Sequence, residues 1–464
     1  MSIPVQRRFL DRVAKAARRL ADTEQLPFRD LLPASGVNEL LDELNVSYRD
    51  TIYTPQVTLW AFLSQVLGAD HSCRQAVARV SAFRCEQGLS PCSPQTGAYC
   101  TARSRLPEEF FSRLVRKTGE QPAQNLEATW LWKGRHVKIV DGTTITMPDT
   151  SENQAAWPQQ KNQKPGAGFP IVRLVVVLSL AVGTVLEWAM GPYQGKGTGE
   201  NQLFRSVMPH LSKEDIVLAD RYYASWWDFA LLAQRGVNLV ARSHQRRRAD
   251  FRRGVRLGSC DQLVVWRKPR RPDWLDPQAY AALPGLLLIR ESKVCVEIPG
   301  FRVRHYVIAT TLWDHERYPA EDIAELYRAR WHAELDLRSI KTTMEMEHLR
   351  CKTPDMIRRE LAMYLIAYNL IRATMAEAAR LHDLRPREIS FKGAVQTLNA
   401  FRDRGLLQAP SAELLAVLLT TIATHRVGNR PDRVEPRLVK RRPKQYKHLR
   451  EPRRLARSRL CRAA

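Results

Sequence analysis

Three carboxylates and one cation-lined stretch carry the chemistry legible in this chain: Asp141 in KIVDGTT, Asp220 in IVLADRYY, and Glu334 in YRARWHAELDLRSIK. Asp141 and Asp220 each close an apolar, β-branched run. A carboxylate where a strand ends points into the crevice in which open α/β sheets bind ligands. Either aspartate alone could equally cap a turn or a short helix. Glu334 changes the weighing. An α-helix advances about 100° per residue, so with Tyr327 at zero, Arg330 falls near 300°, Glu334 near 340° and Lys341 near 320°, with Trp331 near 40° and Arg338 near 20°. Leu326, Ala329, Ala333, Leu337 and Ile340 occupy the arc from about 200° to 280°. One carboxylate thus sits among cations and two aromatic rings, beside the core-facing stripe. A ladder of i,i+4 salt bridges on a solvated helix is the ordinary alternative, and it would suffice if this stretch stood alone. Together, Asp141, Asp220 and Glu334 would supply the hard oxygen ligands that two Mg²⁺ ions need for phosphoryl transfer without a nucleotide.

Elements to hold these residues can be read around them. From about residue 135 the pattern is period-two or continuously apolar: HVKIVDGTTITM, RLVVVLSL and TVLEWAMGP, then IVLAD after a helix and VNLVARS after another. This is an α/β layout with a mixed sheet. Residues 244 to about 303 are basic at the start, carry Trp266 and Trp274, and then alternate like short strands, which marks an insertion. The α/β pattern resumes with RHYVIATTL. Pro319, Glu321 and Asp322 then open a helix that meets no further Pro or Gly until Pro354, so a long helix is expected. Residues 1 to about 125 read as short helices separated by tight breaks, a form that a DNA-reading domain and many plain helical bundles share. Helices continue through 373–425, and the segment Arg426 to Ala464 carries 15 Lys and Arg against three acids, 15 − 3 = +12. That tail is expected to be a mostly extended arm lying on phosphates.

Whole-chain charge agrees with a polyanionic partner. Seventy-three Lys and Arg against 48 Asp and Glu give +25 over 464 residues, a field suited to nucleic acid and hard to explain for a small-molecule enzyme. No stretch approaches the roughly 20 apolar residues of a membrane span. The N-terminus is basic and amphipathic without an apolar leader core, so a cytoplasmic location is expected. Eight cysteines show no C-x2-C pair; His71, Cys73, Cys85 and Cys92 crowd together, but neither a zinc site nor a disulfide framework is indicated. GKGTGE at 195–200 is neither a P-loop nor a dinucleotide fingerprint, and His332 and His348 lack the spacing of an HExxH site.

The spacing Tyr327, Arg330, Glu334, Lys341 is Y-x2-R-x3-E-x6-K, and with D-G-T at 141–143 and A-D-R-Y-Y at 219–223 it resembles the bacterial DDE transposases of the insertion-sequence-four family. The resemblance runs from about 135 to 372, and the basic RLVKRRPKQYKHL is similar to endings in that family. It implies an RNase H-like α/β core over 135–372 with a β-rich insertion at about 244–303, a helical, DNA-binding N-terminal domain over 1–125, a helical region over 373–425 and a basic tail over 426–464. It further implies that Asp141, Asp220 and Glu334 are catalytic and hold two Mg²⁺ ions, which Mn²⁺ can replace, and that Tyr327, Arg330 and Lys341 grip phosphates. Trp331 is placed to pack or stack near an unpaired base. An insertion Trp, Trp266 or Trp274, could stack on a flipped base, although burial in the insertion's own core suits each better. The implied activity is cut-and-paste transposition on double-stranded DNA by a nucleoid-associated protein, with terminal inverted repeats held in a homodimeric synaptic complex. A metal-dependent nuclease on the same fold and an inactive DNA-binding relative are the alternatives.

Overall fold

The computed structural model describes residues 32–49, 51–195, 197–295, 305–403, 412–428 and 450–463. Their backbone divides into two compact units, one drawing on 1–131, 181–187 and 336–427, the other on 132–180, 188–335 and 428–464.

The second unit is built on strands β1 (Val137–Thr146), β2 (Ile171–Ser179), β3 (Val185–Pro192), β4 (Ile216–Ala219), β5 (Asn238–Arg242), β6 (Val255–Gly258), β7 (Asp261–Arg267), β8 (Leu286–Cys295) and β9 (His305–Thr310). β3 begins in the other unit's segment 181–187. The nine strands form one sheet in the order β3-β2-β1-β4-β5-β9-β8-β7-β6. β1 runs antiparallel to β2 and parallel to β4, and β4 runs parallel to β5. A 3-2-1-4-5 order in which β2 runs antiparallel to a parallel β1, β4 and β5 is the RNase H-like arrangement. β2 and β4 are buried along nearly their whole length, as strands covered on both faces must be, which explains their unbroken apolar sequences. Gly183, at φ +84°, supplies the left-handed residue that closes the turn from β2 to β3.

The structure adds to one sequence reading and corrects another. The strands of 244–303, expected as a β-rich insertion, join the core sheet: β8 pairs antiparallel with β9 from Arg290↔Thr310 to Cys295↔His305, and β9 pairs with β5. They widen the core sheet. Within them Arg290 is fully buried and donates Nε to Asp261 Oδ1 at 2.9 Å and Nη1 to the Tyr318 carbonyl at 2.7 Å. A buried guanidinium is tolerable only with such partners. Residues 296–303 of that segment lie outside the described residues.

The expected long helix after Pro319 is also interrupted. Ala320–Arg328 and Trp331–Arg338 are separate helices, followed by a π-helical turn, Ser339–Thr343. Between them Arg330 N bonds the Tyr327 carbonyl, and Ala333 N bonds the Arg330 carbonyl, each three residues back. Such i−3 bonds tighten the turn to about 120° per residue, so angles counted evenly from Tyr327 drift beyond Ala329. No proline or glycine marks the change, which is why the sequence did not disclose it.

The first unit is helical: Ala34–Glu43, Pro55–Val66, Cys73–Glu86, Gly97–Arg105, Glu108–Gln124 and the long helix Pro354–Leu381. Asn369 ties three of its segments together. Its Nδ2 donates to the carbonyls of Val115 (3.0 Å) and Val185 (2.9 Å), and its Oδ1 accepts from Val185 N at 2.7 Å. Gly119 makes that approach possible, because a Cβ there would lie 2.0 Å from the Val185 carbonyl oxygen. Asp336 is fully buried and paired with Arg372 and, at 2.6 Å, with Arg387.

The basic tail departs from the extended reading in its described part: Arg453–Ala463 is a helix. Pro452 precedes a run of Arg, Leu and Ala, all good helix formers. Residues 429–449 of the tail, and the amphipathic N-terminus, lie outside the described residues. Among the described residues no helix is long and apolar enough to cross a membrane.

Candidate active site

Strand register brings the two aspartates together. β1 pairs in parallel with β4 at Val137↔Ile216, Lys138↔Val217 and Ile139↔Leu218. Counting two residues on along each strand sets Asp141 abreast of Asp220, on adjacent strands about 4.8 Å apart and with the same up-down parity. Their positions differ from the strand-end reading in one respect. Asp220 does follow the last residue of β4, where its Oδ1 accepts the Arg221 backbone N–H at 2.6 Å and caps a 3₁₀ turn. Asp141 lies mid-strand, because β1 continues to Thr146 against β2, with Asp141 opposite Val176. The β1–β4 ladder stops at Ile139↔Leu218, two residues earlier, so Asp141 still opens onto the crevice at the carboxyl end of β4.

Glu334 arrives from the first turn of Trp331–Arg338, and Arg330 links it to the strands. Arg330 Nη2 donates to Glu334 Oε1 at 2.9 Å, while its Nη1 lies 3.8 Å from Asp141 Oδ2. Asp141 is pushed up to about 6, chiefly by burial, with Glu334 and Asp220 adding repulsion and the Gly142 N–H and Arg330 opposing. The site therefore concentrates negative charge that one guanidinium only partly offsets.

The remaining predicted residues divide. Tyr327 is buried, its ring 5.6 Å from that of Tyr306, and burial pushes its hydroxyl well above the usual tyrosine range. Trp331 is exposed. Lys341 belongs to the other unit, half-buried in the π-helical turn. Trp266 is buried, with its Nε1 3.3 Å from Glu291 Oε1 and Arg247 3.7 Å over its ring. Trp274 keeps an exposed edge, and Arg205 stacks 3.9 Å from its ring centre.

One carboxylate of this site was not singled out from the sequence. Glu200 opens the helix Glu200–Val207 directly after the glycine-rich loop. A Cβ on Gly142 would lie 2.8 Å from Glu200 Cδ, so the glycine of D-G-T is what lets this side chain lie against β1 at that position. Glu200 also accepts from the Tyr223 hydroxyl at 3.5 Å and approaches Arg173 Nε at 3.8 Å. The signal was an acid in the first turn of a helix behind a loop of glycines. Glu200, Asp220, Arg173, Arg221, Tyr222 and His244 line a cleft of about 440 Å³, large enough for a nucleotide-sized group.

Anionic oxygen donors are what Mg²⁺ and Mn²⁺ select, so the donor types fit a divalent cation. Among the described residues no three His, Cys, Asp or Glu side chains converge closely enough to enclose an ion as they stand. Arg330 reaches between Asp141 and Glu334, and enclosure requires its guanidinium to turn aside.

The sheet, the two aspartates at neighbouring strands and the glutamate on a following helix are the kind of arrangement that metal-dependent phosphoryl transfer would call for. A family model described as Transposase DDE domain matches residues 132–370, just over half of the chain, and the chain belongs to the DDE transposases. Within that class it groups with the insertion-sequence-four transposases. It is 29% identical over 365 residues to "Transposase InsG for insertion sequence element IS4" of Escherichia coli (strain K12), covering 75% of this chain and 77% of that one. A 67-residue stretch is 34% identical to "Transposase for insertion sequence element IS421" of Escherichia coli, 14% of this chain and 18% of the relative. A piggyBac transposase synaptic complex with hairpin DNA, solved by cryo-EM, matches at TM-score 0.40 and 10% identity over 90% of this chain and 89% of that one. The chain is thus a DNA transposase, an enzyme of strand cleavage and joining, and its family uses divalent metal ions.

Proposed function

We propose that this transposase binds the terminal inverted repeats of its own mobile element and excises and reinserts it by cut-and-paste transfer, with Asp141, Asp220 and Glu334 as its catalytic carboxylates. The observation that carries the assignment is the register that sets Asp141 abreast of Asp220, with Arg330 reaching from Asp141 to Glu334. These three carboxylates would hold two Mg²⁺ ions, or Mn²⁺ in their place. When bound, such ions lower the pKa of an attacking hydroxyl and neutralise charge gathering on the phosphodiester.

The chain's own residues do the rest. Arg330, displaced from Glu334, presents a planar fork to the non-bridging oxygens of the scissile phosphate. Lys341 adds a point charge for the DNA backbone, Tyr327 supports Arg330 from the preceding turn, and Trp331 offers its exposed face to an unpaired base. Glu200 holds Tyr223 and keeps Arg173 at the rim of the cleft. The first strand scission frees a 3′-hydroxyl, whose oxygen attacks a second phosphodiester while the 3′ oxygen of the broken bond leaves; no covalent link to the protein forms. Two ends must be held together, so a homodimer assembles the synaptic complex, and the +25 charge keeps the protein on nucleoid DNA.

The test is a supercoiled plasmid carrying the element's two ends, incubated with purified protein with and without Mg²⁺ and alongside Asp141→Ala. Metal-dependent excision at the ends, lost in the variant, is the expected result. Cutting away from the ends would replace this reading with a nuclease, and binding without cutting would replace it with an inactive relative.

A further inference from the structure

In the helical unit a buried arginine faces two sulfurs and no carboxylate. Arg103 is 5% exposed. Its guanidinium lies over the rings of Phe62 (4.8 Å) and Tyr99 (4.7 Å), and its Nη1 donates to Gln65 Oε1 at 3.1 Å. Its Nη2 lies 3.4 Å from Cys73 Sγ and 3.5 Å from Cys100 Sγ, while its Nε has no partner. Among the described residues no carboxylate comes within ion-pair distance of it. The buried Glu360 carboxylate accepts instead from the backbone N–H groups of Arg350 and Cys351, and burial holds the Cys351 thiol well above its ordinary range, hence protonated. A guanidinium withdrawn from water needs compensating negative charge, and a thiolate in direct contact can provide it.

The two sulfurs are 4.0 Å apart, Cys73 on the first residue of Cys73–Glu86 and Cys100 on Gly97–Arg105, and both are half-exposed. They need to close by about 2 Å to reach bonding distance. Gln65 fixes the arrangement from behind, since its Oε1 also accepts the Tyr99 hydroxyl at 2.8 Å.

We propose that Cys73 and Cys100 form a redox-active dithiol in which one sulfur reacts with hydrogen peroxide and the other resolves the product to a disulfide joining the two helices. The thiolate of the pair attacks one oxygen of hydrogen peroxide; the O–O bond breaks and the leaving hydroxide takes a solvent proton as water. The partner sulfur then attacks the resulting sulfenic sulfur, the S–O bond breaks, and the hydroxide leaves with the partner's thiol proton as a second water. Two thiols are oxidised and one hydrogen peroxide is reduced.

Arg103 Nη2 stands almost equally close to both sulfurs and favours the thiolate on either, so the touching pair gives up one proton readily and one of its sulfurs is the nucleophile.

The experiment is peroxide titration of the reduced full-length chain, read by intact mass and by peptide mapping. The expected product is loss of two hydrogens per chain, mapped to a 73–100 link and reversed by dithiothreitol. In Cys73→Ser or in Cys100→Ser the sulfenic acid has no resolving partner, so dimedone should trap it on the remaining cysteine of the pair in at least one of the two variants. The wild-type rate should hold from pH 8 to pH 6, where an ordinary thiol slows about tenfold per unit. Arg103→Lys, which keeps the charge, should preserve that flat profile. Retention of both thiols, a link through another cysteine, or a tenfold-per-unit slope in the wild type would each overturn the proposal.

Discussion

Replacing Asp141 by Asn should make the protein more stable while removing its activity, and the size of the effect follows from the site. Asp141 carries a carboxyl pushed from 3.8 to about 6, mainly by burial. A raised pKa means that the folded chain binds a proton the unfolded chain has already released between pH 4 and 6. Stability tied to this group is therefore fully present below about pH 4 and lost as pH rises through 6. Roughly two units at about 1.4 kcal/mol each give about 3 kcal/mol of destabilisation at neutral pH. Asn keeps the acceptor for Gly142 N–H but gives up the 3.8 Å approach of Arg330, a half-solvated attraction worth at most about 1 kcal/mol. A net gain of about 2 kcal/mol remains, or several degrees in Tm at about 2–4 °C per kcal/mol for a domain of this size. Thermal melts in EDTA from pH 4 to pH 8 measure it: the Tm of Asp141→Asn minus that of the wild type should be near zero at pH 4 and grow to its plateau above pH 6. Added Mg²⁺ should raise the wild-type Tm and leave Asp141→Asn unmoved, since only a state that binds the ion gains from it. A lower Tm for the variant at pH 7.5, or a difference independent of pH, would refute the reasoning.

Other variants probe separate parts of the construction. Glu334→Ala should abolish cleavage while end binding, measured by gel shift, changes little, because binding rests on many phosphate contacts; unchanged cleavage would remove Glu334 from the catalytic set. Arg330→Ala should weaken assembly of the paired-end complex, and normal assembly would count against its phosphate role. Gly142→Ala should fold, since the clashing Glu200 atoms lie near the end of a flexible side chain, but lose at least tenfold in excision as Glu200 is forced off Tyr223; a wild-type excision rate would show that Glu200 has no part. Asn369→Ala removes the partner of the Val185 backbone N–H and carbonyl, while the Val115 carbonyl keeps the Thr118 hydroxyl, at about 1–3 kcal/mol for each buried group left unpaired. A Tm within a degree of wild type would contradict that account.

Local pattern carried much of this protein. Continuous β-branched runs announced β2 and β4, the run ending in Asp220 announced the end of β4, and Y-x2-R-x3-E-x6-K placed Arg330 and Glu334 one turn apart, where they form a 2.9 Å ion pair. Such features depend on neighbours within a few residues, so spacing alone determines them. Tertiary structure decided what depends on pairing distant segments. The β1–β4 register, and not either strand's sequence, sets Asp141 beside Asp220. The β2 partner extends β1 past Asp141, and β9 recruits the inserted strands into the core sheet. Glu200 packs onto β1 across 58 positions of sequence because Gly142 has no Cβ, and Cys73 meets Cys100 across 27 because Arg103 and Gln65 bind both helices. Hydrophobic periodicity tells each segment which face to bury but not which segment will cover it; that choice is made by loop closure, register and packing, and the site's charge balance is made with it.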